Sequence, residues 1–389
     1  MPEPAAEAVP LRTIALDWTR IGLIGFGGPP THIALLRRLV VDERRWVDQR
    51  EFEDALAACN LLPGPASTQL AIFLARRVAG PGGAVVGGLG FIVPAVVLII
   101  LLSIVFLGAS PPVWVRGLGA GAGAAVAAVA VRAGASLAGP SLDRAAQRAR
   151  WFAYAVLGLA AGALVGRYLV LVLLGCGLLE LGIARGFGDR ERVHGWTPAI
   201  APAAAAALAG AGGLGAVAWV AFKVGALSYG GGFVIIPLMQ GDAVHTYHWM
   251  TSAQFLDAVA LGQVTPGPVV ATVAAVGYAA HGVGGGALAA LVAFLPSFAF
   301  VMIGGRHFER ARTSPRAQAF LDGAGPAAIG AIFGAAIPLA AALRETWQFV
   351  VLGAAAVALL LLRRGIVPTL VGAAIVGAVL GLAGAPVPR

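Results

Sequence analysis

Two stretches of the chain carry the same unusual triplet, LLPGPASTQ at 61–69 and VTPGPVVAT at 264–272. Each breaks an apolar segment, with Pro63-Gly64-Pro65 in one and Pro266-Gly267-Pro268 in the other. A proline inside a helix costs about 3 kcal/mol or more, through a lost donor and a clash with the preceding turn. The gain is a helix that restarts in mid-segment, at Ala66-Ser67-Thr68-Gln69 and Val269-Val270-Ala271-Thr272. Such a start presents unpaired N–H groups and about half a positive charge. The chemistry on offer is anion binding. Gly27-Gly28-Pro29-Pro30 and Gly230-Gly231-Gly232 add two further breaks, and one basic residue precedes each, Arg20 and Lys223, the only lysine of the chain.

A basic residue within an apolar span costs about 2.5–3.5 kcal/mol on insertion scales, so it reads as functional by default. Two cations and several helix starts suit a divalent oxyanion, since each charge pair at about 4 Å gains roughly 4 kcal/mol gross at a dielectric near 20. Asn60, Ser67, Thr68 and Gln69 in one half, and Gln263, Thr265 and Thr272 in the other, can supply neutral donors. Gly64 and Gly267 bring the backbone itself to the ligand. Glu51, Asp54 and Asp257 stand at the starts of the PGP segments, where they either carry a coupling proton or cap a helix. His32 follows the first break as a titratable coupling candidate. The competing reading makes each break a plain kink, each polar residue a bridge between helices, and Arg20 and Lys223 snorkelling side chains.

The elements holding these residues are membrane helices. The 389 residues are 59% hydrophobic and 12% charged, with mean hydropathy +0.86, too few charges to cover a soluble protein of this size. The net charge of +9 is spread between apolar spans as topology signals, which argues against nucleic acid as a partner. Residues 1–12, with Glu3 and Glu7, lack the basic start of a signal peptide. Cys59 and Cys176 read as packing residues. The six histidines show no metal-ligand or catalytic spacing, His245 and His248 reading as a solvated pair. No metal, cofactor or enzyme activity is expected.

The chain is one plan written twice. The offset 266 − 63 = 203 also pairs Arg20 with Lys223, Phe26-Gly27-Gly28 with Tyr229-Gly230-Gly231, Trp46 with Trp249, Asp54 with Asp257 and Asn60 with Gln263. Charge does not repeat. Residues 36–50 hold five arginines, while 239–253 hold neither lysine nor arginine; the basic run Arg306 to Arg316 answers the uncharged 108–114. By the positive-inside rule the copies have opposite orientations, an inverted repeat of the kind secondary transporters use. The expected fold is therefore an all-α polytopic membrane protein with broken, re-entrant helix hairpins. Its N-terminal repeat covers 1–198, a linker helix 199–216, and the inverted C-terminal repeat 217–389. Hairpins fall at 14–36, 52–75, 219–239 and 254–279, and full spans near 84–107, 117–138, 151–166, 168–184, 284–304, 320–342, 347–362 and 366–384. The N-terminus is expected in the cytoplasm of a bacterial-type inner membrane and the C-terminus outside. Full crossing by the broken segments is the alternative, and it puts residues 36–50 outside, against their charge.

FGGPPTHI at 26–33, RRWVDQREFEDALAACNLLPGPASTQLA at 44–71, YGGGFVIIPLM at 229–239 and TPGP at 265–268 together resemble the chromate ion transporter family in its long, two-domain form. The resemblance is clearest over 12–107 and 217–304. It carries the family's motif onto Phe26, Gly27, Gly28, Pro29, His32, Arg45, Trp46, Pro63, Gly64, Pro65 and Gln69. In the second half it falls on Gly230, Gly231, Gly232, Pro237, Pro266, Gly267 and Pro268, with Tyr229 in place of the more typical phenylalanine. It implies chromate efflux conferring resistance, with sulfate as a related oxyanion. The expected partners are chromate or sulfate and the lipid bilayer, with a homodimer left open. Sulfate uptake by cation symport and a passive anion channel remain alternatives on the same scaffold.

Overall fold

The computed structural model describes residues 9–61, 64–108, 110–164, 166–184, 213–228, 233–304 and 314–388. Leu62, Pro63 and most of the proposed linker, 199–212, lie outside them, as do Tyr229 to Gly232 and with them Gly230 and Gly231; the Asn60 side chain is also undescribed. The described residues are mostly helical, without strands, as lipid demands of a chain that must satisfy its own backbone.

The first copy contains α1 (Leu11–Ile24), α2 (Pro29–Arg37), α3 (Gln49–Leu61), α4 (Ala66–Phe106), α5 (Val113–Asp143), α6 (Arg148–Leu164) and α7 (Leu169–Ala184). The second contains α8 (Gly213–Leu227), α9 (Ile235–Gln240), α10 (Ser252–Val264), α11 (Thr272–Gly304), α12 (Pro315–Ala341), α13 (Thr346–Ala356) and α14 (Ile366–Leu382). Residues 213–216, assigned to a linker from sequence, open α8 instead. The repeat extends to irregular detail. Wide π-type turns follow α2 at Arg38–Glu43 and α9 at Gly241–Thr246, and each leads to a non-glycine residue with positive φ, Arg45 at 53° and His248 at 54°.

Among the described residues four helices, α4, α5, α11 with its preceding turn, and α12, are long and apolar enough to cross a membrane. A straight α4 of 41 residues would rise about 60 Å, twice the thickness of the hydrocarbon core. It does not run straight. Ala79 (φ −133°) and Gly80 (φ 68°) leave helical geometry, as do His281 (φ −147°) and Gly282 (φ 59°) in α11. Beyond Gly80 the chain doubles back: a methyl on Gly87 would lie 2.4 Å from Ala75 Cβ, although twelve residues of unbroken helix rise about 18 Å. A methyl on Gly277 would likewise lie 2.6 Å from Ala289 Cβ. Each post-PGP half-helix is thus the return arm of a hairpin, and the span proper follows the turn.

Helix α1 runs alongside the span portion of α4. Gly82 neighbours Leu11, Gly87 neighbours Ile14 and Trp18, and Gly22 meets the Phe91 carbonyl. Trp18 Nε1 donates to the Ala71 carbonyl at 2.8 Å, tying α1 to the return arm as well. The first break therefore lies level with Phe91, near the middle of the 81–106 portion. Copies interlock through their fifth helices: α5 packs on α13 and α14, and α12 on α6 and α7. Small residues permit this closeness. A methyl on Gly158 would stand 1.8 Å from the Ala327 carbonyl oxygen, and one on Gly121 2.2 Å from that of Ala373.

Candidate functional site

Pro65 and Pro268 hold extended backbone ahead of their helix starts, a geometry their fixed φ favours. Between the prolines the chain must turn sharply, and Gly64 (φ 121°) and Gly267 (φ 100°) take conformations open to glycine. Each turn docks on the other copy. Gly267 N–H donates to the Gly25 carbonyl at 3.0 Å, and its Cα faces Ala95 and the Gly22 carbonyl; Gly64 faces the carbonyl of Gly225, the counterpart of Gly22. Gly27 (φ 101°) and Gly28 (φ 78°) form the first break, and Pro29 opens α2. A methyl on Gly28 would lie 3.7 Å from Val269 Cγ2. The first GG break and the second PGP turn therefore meet.

His32 joins them to the first PGP turn. Fully buried, it sits edge-on to Phe91 with ring centroids 5.0 Å apart. Nε2 lies 2.9 Å from the Gly25 carbonyl and Nδ1 3.3 Å from Ser67 Oγ. A carbonyl only accepts, so the proton is on Nε2 and Nδ1 receives the Ser67 hydroxyl. One carbonyl, that of Gly25, thereby takes hydrogen bonds from His32 and from Gly267. Ser67, Thr68, Gln69, Gln263, Thr265 and Thr272 are all buried. Thr272 Oγ1 donates to the Val269 carbonyl at 2.7 Å, which occupies its proton locally. The Gln69 amide lies over Gly64.

The proposed cations stand apart from this junction. Lys223 Nζ is 2.5 Å from Asp242 Oδ2 and 5.4 Å above the Trp219 ring, a pairing unmarked in the first copy because Leu39 is the counterpart of Asp242. Arg20 is on the exposed side of α1, with no ion-pair partner among the described residues. Glu51 pairs with Arg77 across the mouth of the first PGP hairpin. Asp54 is exposed. Arg45 is exposed beside Trp46, which stacks on Trp18. Asp257 rests in a notch of α5, where a methyl on Gly119 would lie 2.6 Å from its Oδ1. The small pocket of about 210 Å³ around it is otherwise apolar.

A larger cavity of about 780 Å³ reaches the junction. Pro29, Pro30, Gly64, Ala66, Phe233 and Val234, from three of the four broken segments, form its inner end. Its walls follow α12 from Gln318 to Ile332, a depth of about 21 Å at 1.5 Å per residue. Arg144, Arg150, Tyr154, Glu180 and Asp322 line the outer part. Glu180 is bound on both oxygens, to Arg150 Nη1 at 2.8 Å and by the Tyr154 hydroxyl at 2.8 Å. The sequence reading passed over this group. Its signal was Glu180, the one acid within the apolar segment 168–184, and intramembrane acids merit a functional reading.

Chemically, the floor offers backbone N–H donors at Gly64 and Ala66 to an anion, and the rim offers guanidinium groups. Fold and cavity together define a multi-pass membrane protein whose discontinuous helices meet around an interior cavity.

The comparisons agree on which one. The family profile described as Chromate transporter matches residues 12–181 and again 215–382, one match per copy. The chain belongs to the chromate transporter family. It is 30% identical to the chromate transport protein of Cupriavidus metallidurans, over 86% of this chain and 84% of the relative. It is 32% identical to that of Pseudomonas aeruginosa over 82% and 79%, and 28% identical to a probable chromate transport protein of Synechococcus elongatus over 85% of each. No solved structure matches the chain.

Proposed function

We propose that this protein exports chromate across the inner membrane by alternating access, giving chromate resistance. The observation that carries the reading is the cavity, with arginines at its rim and the ends of three broken helices at its floor. Family membership and the relatives' printed names support chromate as substrate. Charge supports an inverted repeat with a cytoplasmic N-terminus: the arginines of 37–50 and of 144–150 then share the inner side, and the cavity opens to the cytoplasm. A dianion captured there moves outward down a negative-inside potential, by about 2.3 kcal/mol per charge per 100 mV. Reciprocal packing of each fifth helix on the other copy supports rocking of one copy against the other.

In this reading Arg144 and Arg150 attract the anion and the donors at the breaks receive it. Lys223, held by Asp242, serves the far side of the path, and Arg20 anchors α1. Radiolabelled chromate flux into liposomes holding the purified chain tests the reading. Saturable flux accelerated by chromate on the opposite side is expected; linear flux with no such acceleration indicates a channel and overturns the carrier mechanism.

A further inference from the structure

Three buried hydroxyls have no hydrogen-bond partner among the described residues. Thr68, Ser228 and Ser297 are each 0% exposed, and their Oγ atoms are unsatisfied. A serine or threonine in a helix ordinarily returns its proton to a carbonyl one turn back, and a buried polar group left unpaired is destabilising. Three such groups in one region need an explanation.

The repeat gives each a counterpart in the other copy. Ser228 is the counterpart of Gly25, whose carbonyl binds Gly267 of the second turn. Past the hairpin reversal the register shifts by one, since Gly80 answers Gly282 and Pro94 answers Pro296; Ser297 is therefore the counterpart of Ala95. A methyl on Gly267 would lie 2.7 Å from Ala95 Cβ. The two sides are not identical: among the described residues Gly64 makes no counterpart of the Gly267–Gly25 hydrogen bond, and its nearest neighbours are the Gln69 amide and the Gly225 carbonyl. Gly225 in turn meets the Ala293 carbonyl, one turn before Ser297. The Gly64–Gly225 approach fixes the same neighbourhood, with Ser228 one turn beyond Gly225. Thr68 lies in the first turn of the helix that begins after Pro65, and its counterpart is Ala271. Around the second turn, the equivalent positions carry glycine or alanine; around the first they carry hydroxyls. Gly64 and Ala66 are also where the cavity ends.

We infer that Thr68, Ser228 and Ser297 form the donor shell of an occluded oxyanion site just beyond the cavity floor, on the first PGP turn alone. The ligand class is a tetrahedral dianion, chromate or sulfate, which accepts hydrogen bonds from several directions at once. The site rests on the transport reading above and makes the two turns unequal: the second is a structural joint, closed by Gly25 and His32, and the first is the ligand seat.

Thr68→Ala, Ser228→Ala and Ser297→Ala test this by thermal unfolding of the purified chain, with and without chromate or sulfate, and by flux in liposomes. Without ligand, each variant is expected to unfold at a temperature equal to or above the original, because an unpaired polar group is gone. Each is also expected to raise the half-saturation concentration roughly tenfold, the effect of losing one hydrogen bond worth about 1.4 kcal/mol, while maximal flux changes less. Thr68→Ser is expected to restore affinity. Lowered unfolding temperatures with unchanged half-saturation would show that the hydroxyls serve the fold and would overturn the inference. An original chain that neither gains stability from either anion nor carries it defeats the transport reading instead.

Discussion

At the scale of single residues, the account depends on Gly64 and His32. Gly64 sits at φ 121° with a carbonyl of the other copy 3.5 Å from where a methyl would project. Gly64→Ala costs roughly 1–3 kcal/mol in backbone strain and is expected to lower chromate flux at least tenfold. Gly80→Ala, at φ 68° and ψ −164° with open space around it, carries strain of about 1–3 kcal/mol but lies at the hairpin reversal rather than the junction, and is expected to keep most flux; parallel liposome assays compare the two. His32→Ala strands the Ser67 hydroxyl and removes one of two donors to the Gly25 carbonyl. At about 1–3 kcal/mol per buried group left unpaired, unfolding temperature and flux should both fall. The turns at both PGP glycines and the burial of Thr68 and Gln69 beside the first were legible because backbone breaks leave a mark in the sequence, whereas their role in binding remains a proposal. The Lys223–Asp242 pair was not, since it spans a break and lacks a counterpart in the first copy. Ser228 and Ser297 were hidden for a related reason: comparing copies discards residues that differ, and the counterparts of these two are Gly25 and Ala95.

At the scale of elements, close helix crossings set the stability. The approach of Gly158 to the Ala327 carbonyl holds α6 on α12. Gly158→Ala forces those backbones apart, at the 1–3 kcal/mol typical of overpacking, and lowers the unfolding temperature in detergent. Gly175→Ala, with nothing within 4 Å, is expected to be neutral or slightly stabilising through helix propensity, by about 1 kcal/mol or less. Apolar runs and glycine-proline punctuation marked most helices in advance: the expected span at 117–138 falls within α5, while that at 168–184 starts one residue before α7, whose 16 residues are fewer than the roughly 20 of a full crossing. The reversals at Gly80 and Gly282 were missed as helix turns. Gly80-Pro81-Gly82-Gly83 reads as a loop, yet the chain reverses over Ala79 and Gly80 alone, with Ala75 packed tightly on Gly87.

At the scale of the molecule, the doubling was legible up to the hairpin reversal because the breaks, tryptophans and aspartates recur at constant spacing, and each half matches the family separately; the one-residue shift beyond Gly80 and Gly282 was not. The cavity was not, because α5, α6, α7 and α12 come from both copies and only folding brings Arg150, Glu180 and Asp322 together. Opposite orientation of the copies makes its own prediction. In a chain with buried Cys59 and Cys176 replaced by alanine, Gln147→Cys is expected to react with an impermeant thiol reagent only in inside-out vesicles. Tyr247→Cys is expected to react only in right-side-out vesicles. Labelling of both from the same side contradicts the inversion.

Chromate accumulation in inside-out membrane vesicles, with an imposed inside-positive potential, measures the central claim most directly. Vesicles carrying the chain should take up chromate saturably, and those carrying Gly64→Ala should match vesicles without it. Accumulation confined to right-side-out vesicles, or none in either despite correct insertion, would contradict the account.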